Sequence, residues 1–134
     1  RFKKMADDFS VLDRIVFTGP VREVEKYYAA ADIFVFPSIY DPCANVTLEA
    51  MASGLPTITT KSNGASGVIK HGENGYILDS PDDIINIKNY IDNLDNSILR
   101  KKMAKKARKS MLNNSKKDNY EKMLNIYNEL EQRN

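Results

Sequence analysis

The chain predicts a doubly wound α/β domain, a parallel sheet with helices on its faces, followed by a run of helices. Three observations carry this. Apolar runs of strand length alternate with segments of helical periodicity through the first two-thirds of the 134 residues, as crossover helices between parallel strands require. The runs are continuous rather than alternating and are rich in β-branched and aromatic residues, the composition of strands covered on both faces. In the last third, apolar residues recur only at helical spacing. A length of 134 with 42% hydrophobic residues fits one core and not two, so a single domain is expected, 1–79 forming the α/β core and 80–134 the C-terminal helices.

Taken in order, Phe2, Met5 and Phe9 recur at helical spacing, so the chain opens within an amphipathic helix and reads as a piece of a longer protein. The strand candidates are Ile15–Thr18, Ile33–Phe36, Thr57–Thr60 and Tyr76–Leu78. Between the first two, Val24, Tyr27, Tyr28 and Ala31 form one helical stripe facing the core. A loop follows Pro37 and Ser38, and then a helix over Val46–Ser53, with Asn45 as its N-cap and Gly54-Leu55-Pro56 as its stop. Ser80-Pro81-Asp82-Asp83 reads as N-cap, proline at the first helical position and acids in the first turn. Ile84, Ile87, Ile91 and Leu94 would then be the buried face. A further helix from Ser97 carries Leu99, Met103, Ala107 and Met111, and a last one from Ser115 carries Tyr120, Met123, Leu124, Tyr127 and Leu130.

Composition excludes several function classes. Lys and Arg number 20 against 18 Asp and Glu, a balance that calls for no nucleic acid or other polyanion as partner. The single cysteine, Cys43, cannot form an internal disulfide, and the single histidine, His71, leaves no Cys/His cluster with metal-ligand spacing. No metal and no other cofactor is expected, and a cytoplasmic setting fits. No apolar run approaches the roughly 18 to 20 residues that span a bilayer. Cys43 and His71 read as loop residues, His71 as a solvated one, and Lys61 as an exposed lysine. The cations between Arg100 and Lys117 read as the solvated face of a helix, with peripheral contact to anionic lipid at the inner face of the cell membrane, or weak nucleic-acid binding, as the alternatives, the lack of interleaved aromatic residues counting against a single strand.

The segment Pro37-Ser38-Ile39-Tyr40-Asp41-Pro42-Cys43-Ala44-Asn45-Val46-Thr47-Leu48-Glu49-Ala50-Met51-Ala52-Ser53-Gly54-Leu55-Pro56 joins the end of a buried strand to a short helix. Ligands of open α/β sheets bind beyond the carboxyl ends of the strands. Amides at the helix start, around Ala44 to Thr47, suit a phosphate. Asp41 and Glu49 bracket that junction, and carboxylates accept hydrogen bonds from the hydroxyls of a ribose or a hexose. Phosphate and sugar hydroxyls together suggest a nucleotide-sugar.

From Phe17-Thr18-Gly19 through Asp32 and Pro37-Ser38 to Glu49-Ala50-Met51-Ala52-Ser53-Gly54-Leu55-Pro56, and on through Asn63-Gly64 and Gly72-Glu73-Asn74-Gly75-Tyr76, the chain resembles retaining glycosyltransferases of the two-Rossmann-domain (GT-B) class, of the glycosyl transferases group 1 type. Those enzymes carry an acid, seven residues and a Glu, and Asp41 and Glu49 stand at the two acid positions. The resemblance implies a Rossmann-like, C-terminal, donor-binding domain in which Asp41 and Glu49 are the catalytic pair. Glu49 would hold the ribose of a nucleotide-sugar, a UDP-sugar for preference, and Asp41 the donor sugar. Cys43, Ala44, Asn45 and Val46 would complete the donor site. It implies transfer of that sugar, with retention of configuration, to an acceptor glycan or glycolipid of the polysaccharide or lipopolysaccharide kind. The acceptor-binding N-terminal domain, and the Arg and Lys that the family supplies from an earlier strand, have no counterpart here. On that basis the piece alone is expected to catalyse little and to self-associate through an unpaired sheet edge. Three departures from the family pattern stand out: Asp41 replaces Glu and reaches one methylene less far, Cys43-Ala44 replace Phe-Gly, and Gly67 stands near where many relatives carry an acid. A non-catalytic α/β nucleotide-binding module and a nucleotide-sugar epimerase of similar fold are the alternatives.

Overall fold

The computed structural model describes residues 1–42, 44–112 and 116–131. Its helices are α1 (Phe2–Asp8), α2 (Val24–Ala30), α3 (Asn45–Ala52), α4 (Ile84–Asp95), α5 (Ser97–Met111) and α6 (Lys116–Glu131). The strands are β1 (Phe34–Phe36), β2 (Thr57–Thr60) and β3 (Gly75–Leu78), all parallel and in the order β1-β2-β3. Short 3-10 turns occupy Leu12–Arg14 and Gly64–Val68.

Register decides which side chains share a face. Phe34 lies beside Thr57 and Thr57 beside Gly75, so Phe34, Phe36, Thr57, Thr59 and Ile77 point one way. On that side, α2 and α3 cover the sheet through Tyr28, Ala50 and Met51. Ile58, Tyr76 and Leu78 point the other way, onto Leu94 of α4 and Met103 of α5. Helices therefore sit on both faces, as a doubly wound sheet requires. Helix α5 serves both sides, because Ala107 and Met111 join Met51 and Ile69 in the cluster on the α3 side. The continuous run Thr57–Thr60 is buried at all four positions, whereas β1 is only half covered and leaves Val35 partly exposed.

Helix α3 ends in a Schellman motif. Gly54 takes φ +85°, its amide donates to the Met51 carbonyl, and the Leu55 amide donates to the Ala50 carbonyl, while Leu55 packs on Ala50. Glycine suits this position because a side chain disfavours that φ.

Three expectations need correction. Ile15–Thr18 is not a strand: no neighbour accepts its ladder bonds among the described residues, and Val16 is 86% exposed. Helix α3 starts at Asn45, with Ala44 in the cap position, so Asn45 is its first helical residue and not its cap. Helix α4 starts at Ile84, three residues beyond Pro81, because the Asp83 carboxylate accepts from the Asn86 amide at 3.1 Å and takes the cap role from Ser80. That shift turns Ile84 outward, 74% exposed, leaves Ile91 exposed as well, and leaves Ile87 and Leu94 to pack. The last helix, α6, carries Tyr120, Met123, Leu124, Tyr127 and Leu130 as expected, and all five are exposed. The expected start at Ser115 lies outside the described residues.

Gly75 tests the sheet. A Cβ there would meet the Thr57 carbonyl oxygen at 2.7 Å and Ile69 Cγ2 at 3.1 Å. Gly75→Ala is expected to destabilise the fold by about 1–3 kcal/mol through overpacking against backbone, read as a lower urea midpoint. An unchanged midpoint would mean that β2 and β3 are further apart than described.

Candidate functional site

Beyond the last rung of the sheet, the carboxyl ends of β1 and β2 stay tied together. Thr59 Oγ1 donates to the Phe36 carbonyl at 2.7 Å and Thr60 Oγ1 to the Ser38 carbonyl at 2.6 Å. Further out, the Asp41 amide donates to the Ser62 carbonyl at 3.3 Å, and the Asp41 carbonyl accepts from the Gly64 amide at 2.7 Å. These bonds make an isolated parallel bridge between Asp41 and Asn63. Asn63 is anchored in turn: Nδ2 donates to Thr47 Oγ1 at 3.2 Å and to Thr59 Oγ1 at 2.9 Å, and Oδ1 accepts from the Ala65 amide at 2.9 Å. The loop that carries Asp41, half-buried, is thus pinned to the turn after β2.

Helix α3 leaves that loop with no capping side chain and no acid in its first turn. Ala44, at the cap, is buried and has no polar side-chain atom, so its backbone is what it can offer a ligand. The positive end of the helix dipole is therefore not offset by the helix's own first turn. Asn45 and Val46 are exposed there, and Glu49, also exposed, follows one turn later.

Tyr28 of α2 reaches Glu49. Its hydroxyl lies 3.4 Å from Glu49 Oε2 and 3.3 Å from the Val46 carbonyl oxygen. A phenol has one proton, so these two acceptors compete for it, and at such lengths each bond is weak. The ring is fixed better than the hydroxyl is, being only 7% exposed and edge-on to Phe34 at 5.9 Å. Burial, and next the Glu49 charge and hydrogen bond, push the Tyr28 phenol above its ordinary value. Tyr28 and Val46 also line an apolar hollow of about 700 Å3 that draws in Thr18, Gly19, Val21 and Phe36.

Of the residues singled out from sequence, Val46 and Glu49 thus meet through Tyr28, while Asp41 is attached to the turn at Asn63. Ala44 and Asn45 lie between them along the chain, and Cys43 falls outside the described residues. Tyr28 reads as core from its helical stripe and Thr18 as strand from its apolar neighbours, so neither stood out. Gly19 and Pro20, a turn pair directly after Thr18, are the signal that the chain bends there. Lys61 is exposed and pairs with Asp79 at 3.1 Å. His71 is more engaged than a solvated loop residue: Nδ1 accepts from the Ile77 amide at 3.1 Å, and the ring sits edge-on to Tyr76 and Tyr90.

A parallel sheet with helices on both faces, and with two acids and an uncapped helix start beyond the carboxyl end of a strand, defines a domain of the doubly wound α/β class. A sequence model of the family described as glycosyl transferases group 1 matches residues 1–110, and the chain belongs to that family. Over 79 residues it is 38% identical to the lipopolysaccharide core biosynthesis glycosyltransferase LpsE of Rhizobium meliloti (strain 1021), a match covering 59% of this chain and 23% of that protein. The chain spans about a quarter of the length of LpsE and of the next relatives. Among solved structures, sucrose-phosphate synthase from Thermosynechococcus elongatus superposes with a TM-score of 0.87 at 25% identity, covering 100% of this chain and 34% of that one. Anabaena Alr3699/HepE, solved in complex with UDP-glucose, shares the fold with a TM-score of 0.75 at 23% identity, over 82% of this chain and 31% of that one. The fold is that of GT-B glycosyltransferases.

The contact between α2 and α3 has a titration signature. Glu49→Gln removes a negative charge beside Tyr28, so the phenol should titrate closer to the ordinary tyrosine value of 10.0, followed by the Cζ resonance of labelled tyrosine with Tyr28→Phe as assignment control. Because the folded value is raised, the native state holds this proton more tightly than the unfolded chain does. The resulting stability is complete below the ordinary value and is lost as pH rises through the folded one. A Tyr28 titration indifferent to Glu49→Gln would place the carboxylate away from the phenol.

Proposed function

We propose that this chain is the donor-binding half of a retaining glycosyltransferase that moves a hexose from a nucleotide diphosphate to an acceptor hydroxyl. The observation that carries the reading is the placement of Glu49: one turn into a helix with no cap of its own, reached by the Tyr28 hydroxyl, beside an apolar hollow large enough for a nucleoside. On this reading the Glu49 carboxylate accepts from both ribose hydroxyls, and the hollow takes the base. The α3 amides at Asn45 and Val46, with the backbone of Cys43 and Ala44, face the diphosphate. Asp41, held at the other side of the loop, accepts from hydroxyls of the transferred sugar.

The division of labour has a chemical logic. Phosphate charge is met by amides and a helix dipole, which cost no reorganisation as charge builds on the leaving diphosphate. The carboxylates are spent on hydroxyl donors, where a charged acceptor makes the stronger bond. Transfer itself joins the acceptor oxygen to the anomeric carbon as the bond from that carbon to the diphosphate breaks. The acceptor, a glycan or glycolipid of the lipopolysaccharide kind by analogy with LpsE, would be held by residues outside this chain. UDP is the nucleotide of choice for a test because the fold neighbour HepE was solved with UDP-glucose.

Calorimetric titration with UDP tests the assignment of Glu49. Glu49→Ala removes an ionised acceptor worth about 1.5–3 kcal/mol in hydrogen bonds, so UDP should bind roughly ten- to hundredfold more weakly. Equal affinity in the variant defeats the assignment. Asp41→Asn removes a negative charge near the diphosphate and a sugar ligand together, so UDP should bind as well as before or better while UDP-glucose binds more weakly, and a matching loss for both ligands would remove Asp41 from the sugar.

A further inference from the structure

Charge on this molecule is segregated. Of its 20 Lys and Arg, seven lie on the 15-residue helix α5, between Arg100 and Lys109, while none of its 18 Asp and Glu does. The remainder of the chain is therefore net acidic, and the near-neutral total hides a strongly positive face. Two of the seven cations are engaged. Arg100 turns inward, with Nε 3.1 Å from Asp32 and a guanidinium nitrogen donating to the Leu94 carbonyl at 2.7 Å, and Lys106 pairs with Glu73 at 3.2 Å. Lys101, Lys102, Lys105, Arg108 and Lys109 are exposed and make no ion pair among the described residues.

Helical spacing puts these five on the side away from Met103, Ala107 and Met111, which are buried. The same outward stripe begins at Ile98 and ends at Leu112, and both are exposed, at 78% and 69%. An aliphatic side chain thus stands at each end of a band of cations about 20 Å long, at 1.5 Å per residue. At one flank a hollow of about 430 Å3 brings Lys70, Lys106 and Lys109 around Glu73.

A single-stranded nucleic acid would call for aromatic rings among the cations, and α5 has none. Cations in the middle with aliphatic groups at the ends match a different partner, a bilayer whose headgroups are anionic and whose acyl boundary accepts short apolar side chains. We propose that the outward face of α5 docks on an anionic lipid bilayer with the helix axis in the plane of the surface. Lysines and Arg108 meet the headgroup phosphates, and Ile98 and Leu112 enter the boundary below them.

Flotation of the 134-residue chain with vesicles of phosphatidylcholine, with and without phosphatidylglycerol, tests this. The native chain should associate at least about tenfold more with the anionic vesicles, and added salt should reverse the association. The triple variant Lys101→Glu, Lys105→Glu, Lys109→Glu, all at exposed positions, should lose association while melting with the native chain. If it does not fold, the triple change to Gln serves in its place. The double variant Ile98→Ser, Leu112→Ser should weaken association several-fold and leave its salt dependence intact. Equal binding to neutral vesicles overturns the proposal. Association that survives the triple variant does so too, because it assigns attachment elsewhere, the apolar stripe of α6 included, and so does a preference for a duplex or single-stranded nucleic acid over the anionic vesicles.

Discussion

The Asn63 carboxamide, 1% exposed, donates to hydroxyls on α3 and β2 and accepts from the backbone of the turn that it opens. Three elements that converge beyond the carboxyl end of the sheet share this one side chain. Its partners are themselves buried: Thr47 and Thr59 have no measurable exposure, and Thr59 passes its own proton to the carbonyl of Phe36 at the end of β1. An amide so placed has no water to fall back on, so each bond that it fails to make costs the full desolvation of the group. With these bonds made, the network ties the Asp41 loop, the start of α3 and the turn at Gly64 together.

That constraint explains why a short β1 is enough. Three residues of ladder would give little by themselves, and Val35 is partly exposed. The threonine hydroxyls of β2 lengthen the connection by capturing the carbonyls of Phe36 and Ser38, and the bridge at Asp41 extends it again. A buried strand of threonines would be costly in an apolar core. Here Thr59 and Thr60 find partners on the neighbouring chain segment and Thr57 donates to the Leu55 carbonyl, and the β-branched backbone preference comes with them.

Much of this was legible before any coordinates. The runs at Phe34, Thr57 and Tyr76 mark the strands because continuous apolar and β-branched stretches suit a sheet covered twice, and Met103, Ala107 and Met111 mark the inner face of α5 by spacing alone. The failures have a common cause, in that each turned on a partner that local pattern does not specify. Ile15–Thr18 has strand composition, yet a strand exists only where a neighbour takes its hydrogen bonds, and no strand lies alongside it among the described residues. At the start of α4 both Ser80 and Asp83 capture an amide, Ser80 that of Asp82 and Asp83 that of Asn86, and only the second opens the helix, which local pattern does not decide. Of the site, Asp41 and Glu49 could be named from their place at a strand-to-helix junction. Tyr28 could not, since a tyrosine in a helical stripe reads as packing, and only the crossing of α2 over α3 brings its hydroxyl to the carboxylate.

The electrostatics of the junction narrow the roles its residues can play on the proposed reading. Asp41 and Glu49 bring two negative charges to the start of α3, and the nearest lysine in sequence beyond β2, Lys61, is exposed and already beside Asp79. The dense positive charge of α5 is directed outward, on the side of that helix away from the core it shares with α3. A diphosphate arriving at α3 would therefore feel the two acids as repulsion, relieved by the helix dipole and local amides. Carboxylates in that setting favour binding only if hydroxyl protons stand between them and the phosphates. A nucleoside diphosphate carrying a sugar offers hydroxyls on both sides of its phosphates, so it can satisfy both acids at once. A bare phosphate or an unglycosylated diphosphate satisfies one at most, so the same pair of charges that opposes simple anions would select for the glycosylated donor.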